Sequence, residues 1–160
     1  MEDVLKILEK DARTDAKKIA DMTGMSESEV KKMIKDLEKK GVIRKYKTVI
    51  DREKVGEESV YALIDVNVTP VREKGYNSVA ERIMKFPEVK SLYLISGQYD
   101  LSVLVQGDSM KEVATFVSEK LAPLDRVHGT TTHFVLKRYK EDGDVLFEKK
   151  DKNKRQAVSA

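Results

Sequence analysis

The stretch SGQYDL, residues 96–101, places groups suited to binding a small polar molecule between two apolar runs. Gly97 has no side chain, so backbone N–H groups beside it can approach a carboxylate closely. Gln98 and Tyr99 supply an amide and a phenol, and Asp100 can accept hydrogen bonds from an ammonium group or from backbone amides. The same residues could form only a polar hairpin turn, with Asp100 bonded to its own backbone and Tyr99 packed at an interface. Both interpretations fit the pattern.

Residues 31–54 are the second chemically distinctive region, because they concentrate basic side chains on a chain of nearly balanced charge. The whole sequence has 31 Lys and Arg against 28 Asp and Glu, a net charge of +3. The basic residues of this region are Lys31, Lys32, Lys35, Lys39, Lys40, Arg44, Lys45, Lys47, Arg52 and Lys54. Such a local positive field is typical of a surface that binds a polyanion, although a solvated charged face would look similar.

The first third of the chain predicts three helices that would position these basic residues. Apolar residues at helical spacing predict a helix over 2–10, Asp15 is placed to cap a second helix, and Gly24 is placed to end it. Ser26 and Glu29 form a capping-box pattern that opens a third, basic helix. A short helix, a tight turn with glycine and a longer basic helix together predict a helix-turn-helix.

The exposed side of the third helix and a strand predicted over 42–50 would form the DNA-binding surface. Ser28 and Lys31 lie near the start of the helix, where side chains reach base edges, and Lys32 and Lys35 are placed to contact phosphates. The strand would add a basic wing beside the helix. The predicted DNA-binding residues are Ser26, Ser28, Lys31, Lys32, Lys35, Arg44, Lys45 and Lys47. The alternative is a three-helix domain with an ordinary charged exterior.

The rest of the sequence predicts strands and helices in the order βαββαβ. The strands are predicted over 59–68, 89–95, 102–106 and 127–139, and the helices over 76–85 and 109–121. This order closes as a four-stranded antiparallel sheet with both helices on one face, the ferredoxin-like arrangement.

The second face of such a sheet would be apolar in either register. The two candidate sets are Leu92 with Leu94 or Tyr93 with Ile95, joined by Leu63 or Leu104. An apolar sheet face is most simply covered by a second copy of itself, so we expect a homodimer, with tetramers or octamers left open. Such a dimer could set two helix-turn-helix units on successive major grooves about 34 Å apart.

The predicted fold class is therefore α+β, a winged helix-turn-helix joined to a ferredoxin-like domain. The predicted domains are a DNA-binding domain over 1–50, a hinge over 51–58, an effector-binding and oligomerisation domain over 59–140, and a charged tail over 141–160. The apolar runs are too short to span a membrane, the start lacks the apolar core of a signal peptide, and the chain has no cysteine. We expect a cytoplasmic protein without a membrane partner.

The sequence offers little for catalysis. It has no phosphate-binding glycine loop, no cluster of histidine and carboxylate, and no convincing nucleophile. We therefore predict no catalytic residue, no metal site and no cofactor, and no enzymatic activity.

Taken in order, the two halves closely resemble the Lrp/AsnC family of transcriptional regulators, from about residue 3 to about residue 140. The resemblance is carried by "ILEKDART…IADMTGMSESEVKKMIKDLEKKGVIRKY", then by "FPEVKSLYLISGQYDLSVLV" and "VHGTTTHFVLKRYK". Met33 departs from the family pattern, which often has arginine in the recognition helix, so the resemblance predicts no particular operator. It implies a DNA-binding regulator whose oligomerisation or operator affinity is modulated by a small effector.

The resemblance also implies that the effector is often an amino acid, and that Gly-x-Tyr-Asp turns help to form pockets where dimers meet. The predicted effector-binding residues are Gly97, Gln98, Tyr99, Asp100, Thr130, Thr131 and Thr132. Two alternatives remain. One is a sirohaem decarboxylase of similar architecture, in which His128 or His133 would serve tetrapyrrole chemistry. The other is an architectural DNA-binding protein without an effector.

Overall fold

The computed structural model describes residues 1–56, 59–70, 72 and 75–147. The chain divides into two compact units, Met1–Val49 and a second that begins at Ile50. The first unit contains three helices: α1 Glu2–Lys10, α2 Ala16–Thr23 and α3 Glu27–Lys39. Their order and lengths confirm the helix-turn-helix prediction.

The turn between α2 and α3 is fixed by short-range caps. The Asp15 carboxylate accepts a hydrogen bond from the Lys18 backbone N–H at 2.7 Å and so begins α2. Gly24 ends α2 at φ +71°, a left-handed conformation that glycine adopts without steric cost. Ser26 and Glu29 form the reciprocal capping box that begins α3, with bonds of 3.3 Å and 2.9 Å. These local bonds explain why the sequence predicts this region well.

A small apolar core joins the three helices. Its buried members are Val4, Leu8, Ile19, Ala20 and Val30, and Ile7, Ala16, Met25, Met33, Ile34 and Ile43 pack against them. A unit of this size buries little surface, so its helix caps matter more to its stability than they would in a large domain.

The strand predicted over 42–50 is wrong, since this segment forms no β ladder. A strand requires a partner for its N–H and C=O groups, and no strand lies in Met1–Val49, all of which the structure describes. The chain instead folds back on the end of α3, where Val42 and Ile43 donate to the Leu37 carbonyl at 2.9 and 3.3 Å. The Tyr46 hydroxyl donates to the Glu38 carboxylate at 2.8 Å.

The second unit is a four-stranded sheet with two helices. Its elements are β1 Val60–Val68, α4 Asn77–Ile83, β2 Val89–Leu94, β3 Leu101–Gly107, α5 Met110–Phe116 and β4 Val127–Phe134. The strand order is β2–β3–β1–β4 and every pairing is antiparallel. This confirms the predicted βαββαβ order.

Both helices pack on the same face of the sheet. The core combines residues of α4, of α5 and of the helical turn after α5 with alternate residues of β1 and β3: Ala62, Ile64, Val66, Val68, Val79, Ile83, Leu101, Val103, Val105, Val113, Phe116 and Leu121. Phe86 and Phe116 meet edge to face at 5.5 Å. A wider helical turn, Val117–Leu121, follows α5. In the described part of the chain, no helix is long and apolar enough to cross a bilayer.

The end of the described chain differs from the prediction. β4 stops at Phe134, short of the predicted residue 139, and Leu136 is 90% exposed instead of sharing the buried side of Phe134. A short hairpin follows, β5 Lys140–Glu141 and β6 Asp144–Val145, so the predicted charged tail begins as folded backbone. Residues 148–160 of that tail lie outside the described residues.

The segment predicted as a hinge, 51–58, belongs to the second unit by its contacts. It contains one tight helical turn, Glu53–Val55, which Gly56 ends at φ +72°. Residues 57 and 58 are outside the described part of the chain. That this segment acts as a hinge stays a prediction.

Candidate DNA-binding and effector sites

One side of α3 is buried and the opposite side presents a row of lysines. Val30 and Leu37 are buried, and Met33 and Ile34 pack against the core of the unit. A helix turns by about 100° per residue, so the residues opposite this side can be read from their spacing. An arc of about 100° holds Ser28, Lys31, Lys32, Lys35 and Lys39, all exposed, which we call the lysine stripe. Lys39 was not predicted, although its position four residues after Lys35 could have revealed it.

No acidic residue of α3 falls within the lysine stripe. By the same helical spacing, Glu29 and Asp36 lie on one flank, and Glu27 and Glu38 lie on the other. Lys31 pairs with Glu27 at 2.6 Å, but both side chains are largely exposed. An exposed pair of this kind contributes little, so a DNA phosphate can replace Glu27 as the partner of Lys31 at small cost.

Ser26 is occupied by the helix cap. Its hydroxyl accepts the Glu29 backbone N–H, donates to the Glu29 carboxylate at 2.7 Å, and lies 3.1 Å from the Ser28 hydroxyl. The bonds that the Glu29 carboxylate accepts from the Ser26 hydroxyl and the Ser26 backbone N–H lower the pKa of Glu29 below its usual value, because they stabilise the carboxylate. The structure therefore gives Ser26, a predicted DNA-binding residue, a role in holding the start of the lysine stripe.

The basic residues after α3 remain beside the end of that helix without a strand. The Arg44 guanidinium folds over Gly41, with its carbon 3.4 Å from the position that a Cβ there would take. The Tyr46 bond to Glu38 fixes the next turn of chain and raises the pKa of the phenol, since it favours the protonated form. The exposed basic residues of this segment are Arg44, Lys45 and Lys47.

Asp100 fastens the predicted effector turn to the sheet. Its carboxylate accepts the Val68 backbone N–H at 2.8 Å, and its own N–H donates to the Val66 carbonyl at 3.1 Å. The Tyr76 hydroxyl also donates to Asp100, and this bond raises the pKa of Tyr76. Gly97 adopts φ +132°, which side chains other than hydrogen disfavour. The Asp100 carboxylate thus holds the turn through residues distant in sequence, while its backbone carbonyl closes the hairpin by accepting the Ile95 N–H at 2.9 Å.

Tyr99 is held against β4. Its hydroxyl lies 2.8 Å from the Thr131 hydroxyl, in a partly buried contact. Gln98 is exposed at the tip of the same turn. The structure therefore brings Tyr99 and Thr131 together at the turn, with Gln98 and Gly97 open to solvent beside them.

The other two threonines of the predicted site lie on the opposite face of the sheet. Thr130 pairs with Val66 and Thr132 pairs with Ile64. Directly opposed residues of antiparallel strands share a face, and both β1 partners are buried under the helices. This corrects the expectation that Thr130 and Thr132 line one site with Thr131. Successive side chains of a strand point to opposite faces, so Thr131 lies on one face of the sheet and its two neighbours lie on the other. The sequence analysis grouped the three because they are adjacent in the chain.

The sheet face without helices carries an apolar group beside polar residues such as Asp65, Thr131 and His133, and the strand register decides between its candidate apolar residues. Leu92 pairs with buried Val103 and so faces the helices, whereas Tyr93 pairs with Ser102 on the other side. The apolar residues of this side, which we call the open face, are Leu63, Leu104, Tyr93 and Ile95. Leu63 pairs directly with Leu104 and is 42% exposed, and Tyr93 is 58% exposed.

Each histidine contacts a residue in or just after β1. His128 contacts the Thr69 hydroxyl, and His133 Nε2 lies 3.3 Å from the Asp65 carboxylate. Across the described residues, no group of three histidine or carboxylate side chains is close enough to hold a metal ion.

A helix-turn-helix with a basic third helix, followed by a domain with a four-stranded antiparallel sheet, is typical of a class of DNA-binding regulators. The model of winged helix-turn-helix DNA-binding domains matches residues 2–44, and that of the Lrp/AsnC ligand binding domain matches residues 61–145. The chain is 54% identical to the uncharacterized HTH-type transcriptional regulator YugG of Bacillus subtilis (strain 168), over 98% of this chain and 95% of that protein. It therefore belongs to the Lrp/AsnC family of transcriptional regulators.

Two solved structures share this fold. A transcriptional regulator of Neisseria meningitidis in complex with L-Met has a TM-score of 0.69 and 24% identity, covering 87% of this chain and 89% of that one. The feast or famine regulatory protein of M. tuberculosis complexed with L-methionine has a TM-score of 0.71 and 22% identity, covering 91% and 95%. These likenesses establish the two-part α+β architecture.

Proposed function

We propose that this regulator binds double-stranded DNA through the lysine stripe and the basic segment that follows α3. The observation that carries this proposal is the acid-free row of lysines opposite the buried side of a well-capped α3. Ser28 and Lys31 contact base edges from the start of the helix, and Lys32, Lys35 and Lys39 contact phosphates. Arg44, Lys45 and Lys47 contact the backbone beside them.

The open face supports assembly as a homodimer. An apolar surface of paired leucines with a neighbouring tyrosine is costly to leave in water, and a second copy covers it with the same chemistry. The symmetry of such a dimer presents two copies of α3 to two half-sites. Half-sites about one helical turn of DNA apart would then be bound together, which raises affinity without new contacts.

A small amino acid is the effector that the findings favour. The two solved relatives carry L-methionine, and the second unit here matches the ligand-binding domain of that family. Gly97 permits close approach of a ligand carboxylate to the backbone, and the Tyr99–Thr131 pair provides hydroxyls beside it. An effector that binds one assembly better than another shifts operator binding by that difference.

The test reverses the charge of the lysine stripe. The double variant Lys31→Glu, Lys32→Glu should lose affinity for a labelled duplex of its own promoter region by about 100-fold or more, measured by fluorescence anisotropy. The control variant Lys85→Glu, Lys111→Glu makes the same change of net charge on exposed residues of the second unit. Its affinity should remain close to that of the unmodified protein.

Salt titration and sedimentation complete the test. Each phosphate contact contributes a slope of about −0.9 to the logarithmic dependence of affinity on salt, so binding should weaken steeply. A flat salt response, or a monomer in sedimentation equilibrium, would contradict the proposal. If none of the twenty amino acids changes DNA affinity or assembly, the protein acts as an architectural DNA-binding protein without an effector.

A further inference from the structure

The first turn of α3 carries an acidic side chain that DNA binding by the lysine stripe leaves unexplained. α3 begins at Glu27, and Glu29 follows two residues later. The Glu29 carboxylate is held in the capping box by the hydroxyl and the backbone N–H of Ser26. The capping box does not use Glu27, whose side chain is 45% exposed. Glu27 is therefore the acid of this turn that is available to a bound molecule.

Glu27 forms an ion pair with Lys31, the first lysine of the lysine stripe. The distance from Lys31 Nζ to Glu27 Oε1 is 2.6 Å. By helical spacing, Glu27 lies about 40° around the helix from Lys31 and one turn nearer its start. An ammonium group has three N–H donors and a carboxylate has two acceptor oxygens. Each partner can therefore bind a third molecule while the pair stays intact.

A carboxylate in this position is costly beside DNA unless it meets a hydrogen-bond donor. The duplex backbone is a dense row of negative charges, so an acid that faces phosphates lowers affinity. In the major groove, the donors of the base edges are the amino groups at cytosine N4 and adenine N6. The N-terminal residues of a recognition helix are the ones that contact base edges. Glu27, the first residue of α3, is thus placed where a base can supply its donor.

The pair of Glu27 and Lys31 fits the major-groove edge of a G·C base pair. Guanine O6 and cytosine N4 are hydrogen-bonded to each other, so these two atoms lie about 3 Å apart. The 2.6 Å between Lys31 Nζ and Glu27 Oε1 is close to this spacing. Lys31 can donate to guanine O6 and N7 while Glu27 accepts from cytosine N4. A donor then meets an acceptor at both positions.

An A·T base pair fits the same two side chains less well. It also has a donor beside an acceptor, at adenine N6 and thymine O4. When Glu27 accepts from adenine N6, however, its carboxylate lies next to adenine N7, which is another acceptor and repels it. Lys31 then meets thymine O4 beside the thymine methyl group, in place of the two acceptors of guanine. This difference favours G·C.

We propose that Glu27 and Lys31 together read one G·C base pair in each half-site of the operator. Lys31 binds guanine and Glu27 binds cytosine. Glu27 is a specificity-determining residue, since it discriminates between base pairs, whereas the lysines of the stripe supply most of the affinity. Reading of this base pair rests on the proposed DNA binding by α3, and adds to it the base pair that the first turn selects.

Selection from a library of random duplexes tests this assignment with the full chain. The unmodified protein should enrich duplexes with a G·C pair at one position of each half-site. In Glu27→Gln, the new amide can accept from adenine N6 and donate to adenine N7. This variant should therefore also accept T·A at that position, with thymine in place of guanine at Lys31.

Competitive fluorescence anisotropy measures the size of the effect on duplexes that differ only at this position. The unmodified protein should prefer G·C over T·A by about tenfold, the size expected of one base contact. Glu27→Gln should reduce this preference to about threefold or less. Lys31→Met, which keeps an unbranched side chain and removes the donor, should lose the preference together with part of the affinity.

Glu2→Gln is the matched control. Glu2 pairs with Lys6 on α1 at the same spacing of four residues, with 2.8 Å between Lys6 Nζ and Glu2 Oε1. The substitution removes the same charge from an exposed pair in the same unit. Its preference for G·C should equal that of the unmodified protein.

The possible outcomes separate this inference from DNA binding itself. A Glu27→Gln variant that binds all duplexes more tightly and keeps the G·C preference would overturn the inference, because Glu27 would then only repel phosphates. A selected sequence without a G·C position that responds to Glu27→Gln or Lys31→Met would overturn it as well, and DNA binding by the lysine stripe would stand. An unmodified protein that binds no duplex would overturn both.

Discussion

The two units of this regulator are held together over different distances along the chain. In the helix-turn-helix unit, Asp15 caps Lys18 and Ser26 caps Glu29, each across three residues. In the sheet unit, the Asp100 bond to Val68 spans 32 residues. The proposed DNA surface therefore depends on one locally determined helix. The proposed effector turn depends on the whole sheet.

In the helix-turn-helix unit, the residues proposed to bind DNA are different from those that stabilise the fold. In the sheet unit, Asp100 belongs to both groups. The lysines of α3 point away from its core, so their substitution should change DNA affinity and leave folding intact. Asp100 holds its turn in place while it stands beside the predicted ligand, so its substitution should change both.

Asp100→Ala should give the largest loss of stability. The substitution removes the charged acceptor of the Val68 N–H in a partly buried contact, and a hydrogen bond to a charged group contributes about 1.5–3 kcal/mol. It also removes the acceptor of the Tyr76 hydroxyl. Urea unfolding followed by circular dichroism measures the loss. The control is Asp108→Ala, at an exposed position on the loop before α5. Equal stability of the two variants would show that the turn is not fastened through Asp100.

Ser26→Ala should have a smaller effect on stability, about 1 kcal/mol, because it removes the N-cap of α3. Its comparison is Ser28→Ala, which keeps the cap and removes a side chain from the lysine stripe. In thermal unfolding, Ser26→Ala should have a lower melting temperature than the unmodified protein. In fluorescence anisotropy, Ser28→Ala should bind DNA more weakly than the unmodified protein. If Ser28→Ala lowers the melting temperature as much as Ser26→Ala does, the assignment of the cap to Ser26 fails.

The same contrast of distances explains what the sequence could predict. The caps at Asp15 and Ser26, the glycine stop at Gly24 and the alternation along β1 are local patterns, and the structure confirms them. The prediction of a strand over 42–50 was wrong because an alternating pattern does not show whether a partner strand is present to pair with it.

Register limited the prediction of the second unit. A shift of one residue moves every side chain to the other face, so the sequence could not choose between Leu92 and Tyr93 for the open face. For the same reason it grouped Thr130 and Thr132 with Thr131.

The smallest expected effect concerns two tyrosines, one in each unit, whose hydroxyls donate to carboxylates. The bonds of Tyr76 to Asp100 and of Tyr46 to Glu38 both raise the tyrosine pKa above the ordinary value of 10.0. The unfolded chain then loses these protons at lower pH than the folded chain, so each bond stabilises the fold below about pH 10, and this stability is lost as pH rises further. The stability difference between the unmodified protein and Tyr76→Phe, from urea unfolding, should be full at about pH 8 and shrink above pH 10. Tyr46→Phe should show the same sign. A difference that grows with pH in either variant would mean that the carboxylate does not hold that phenol in its protonated form.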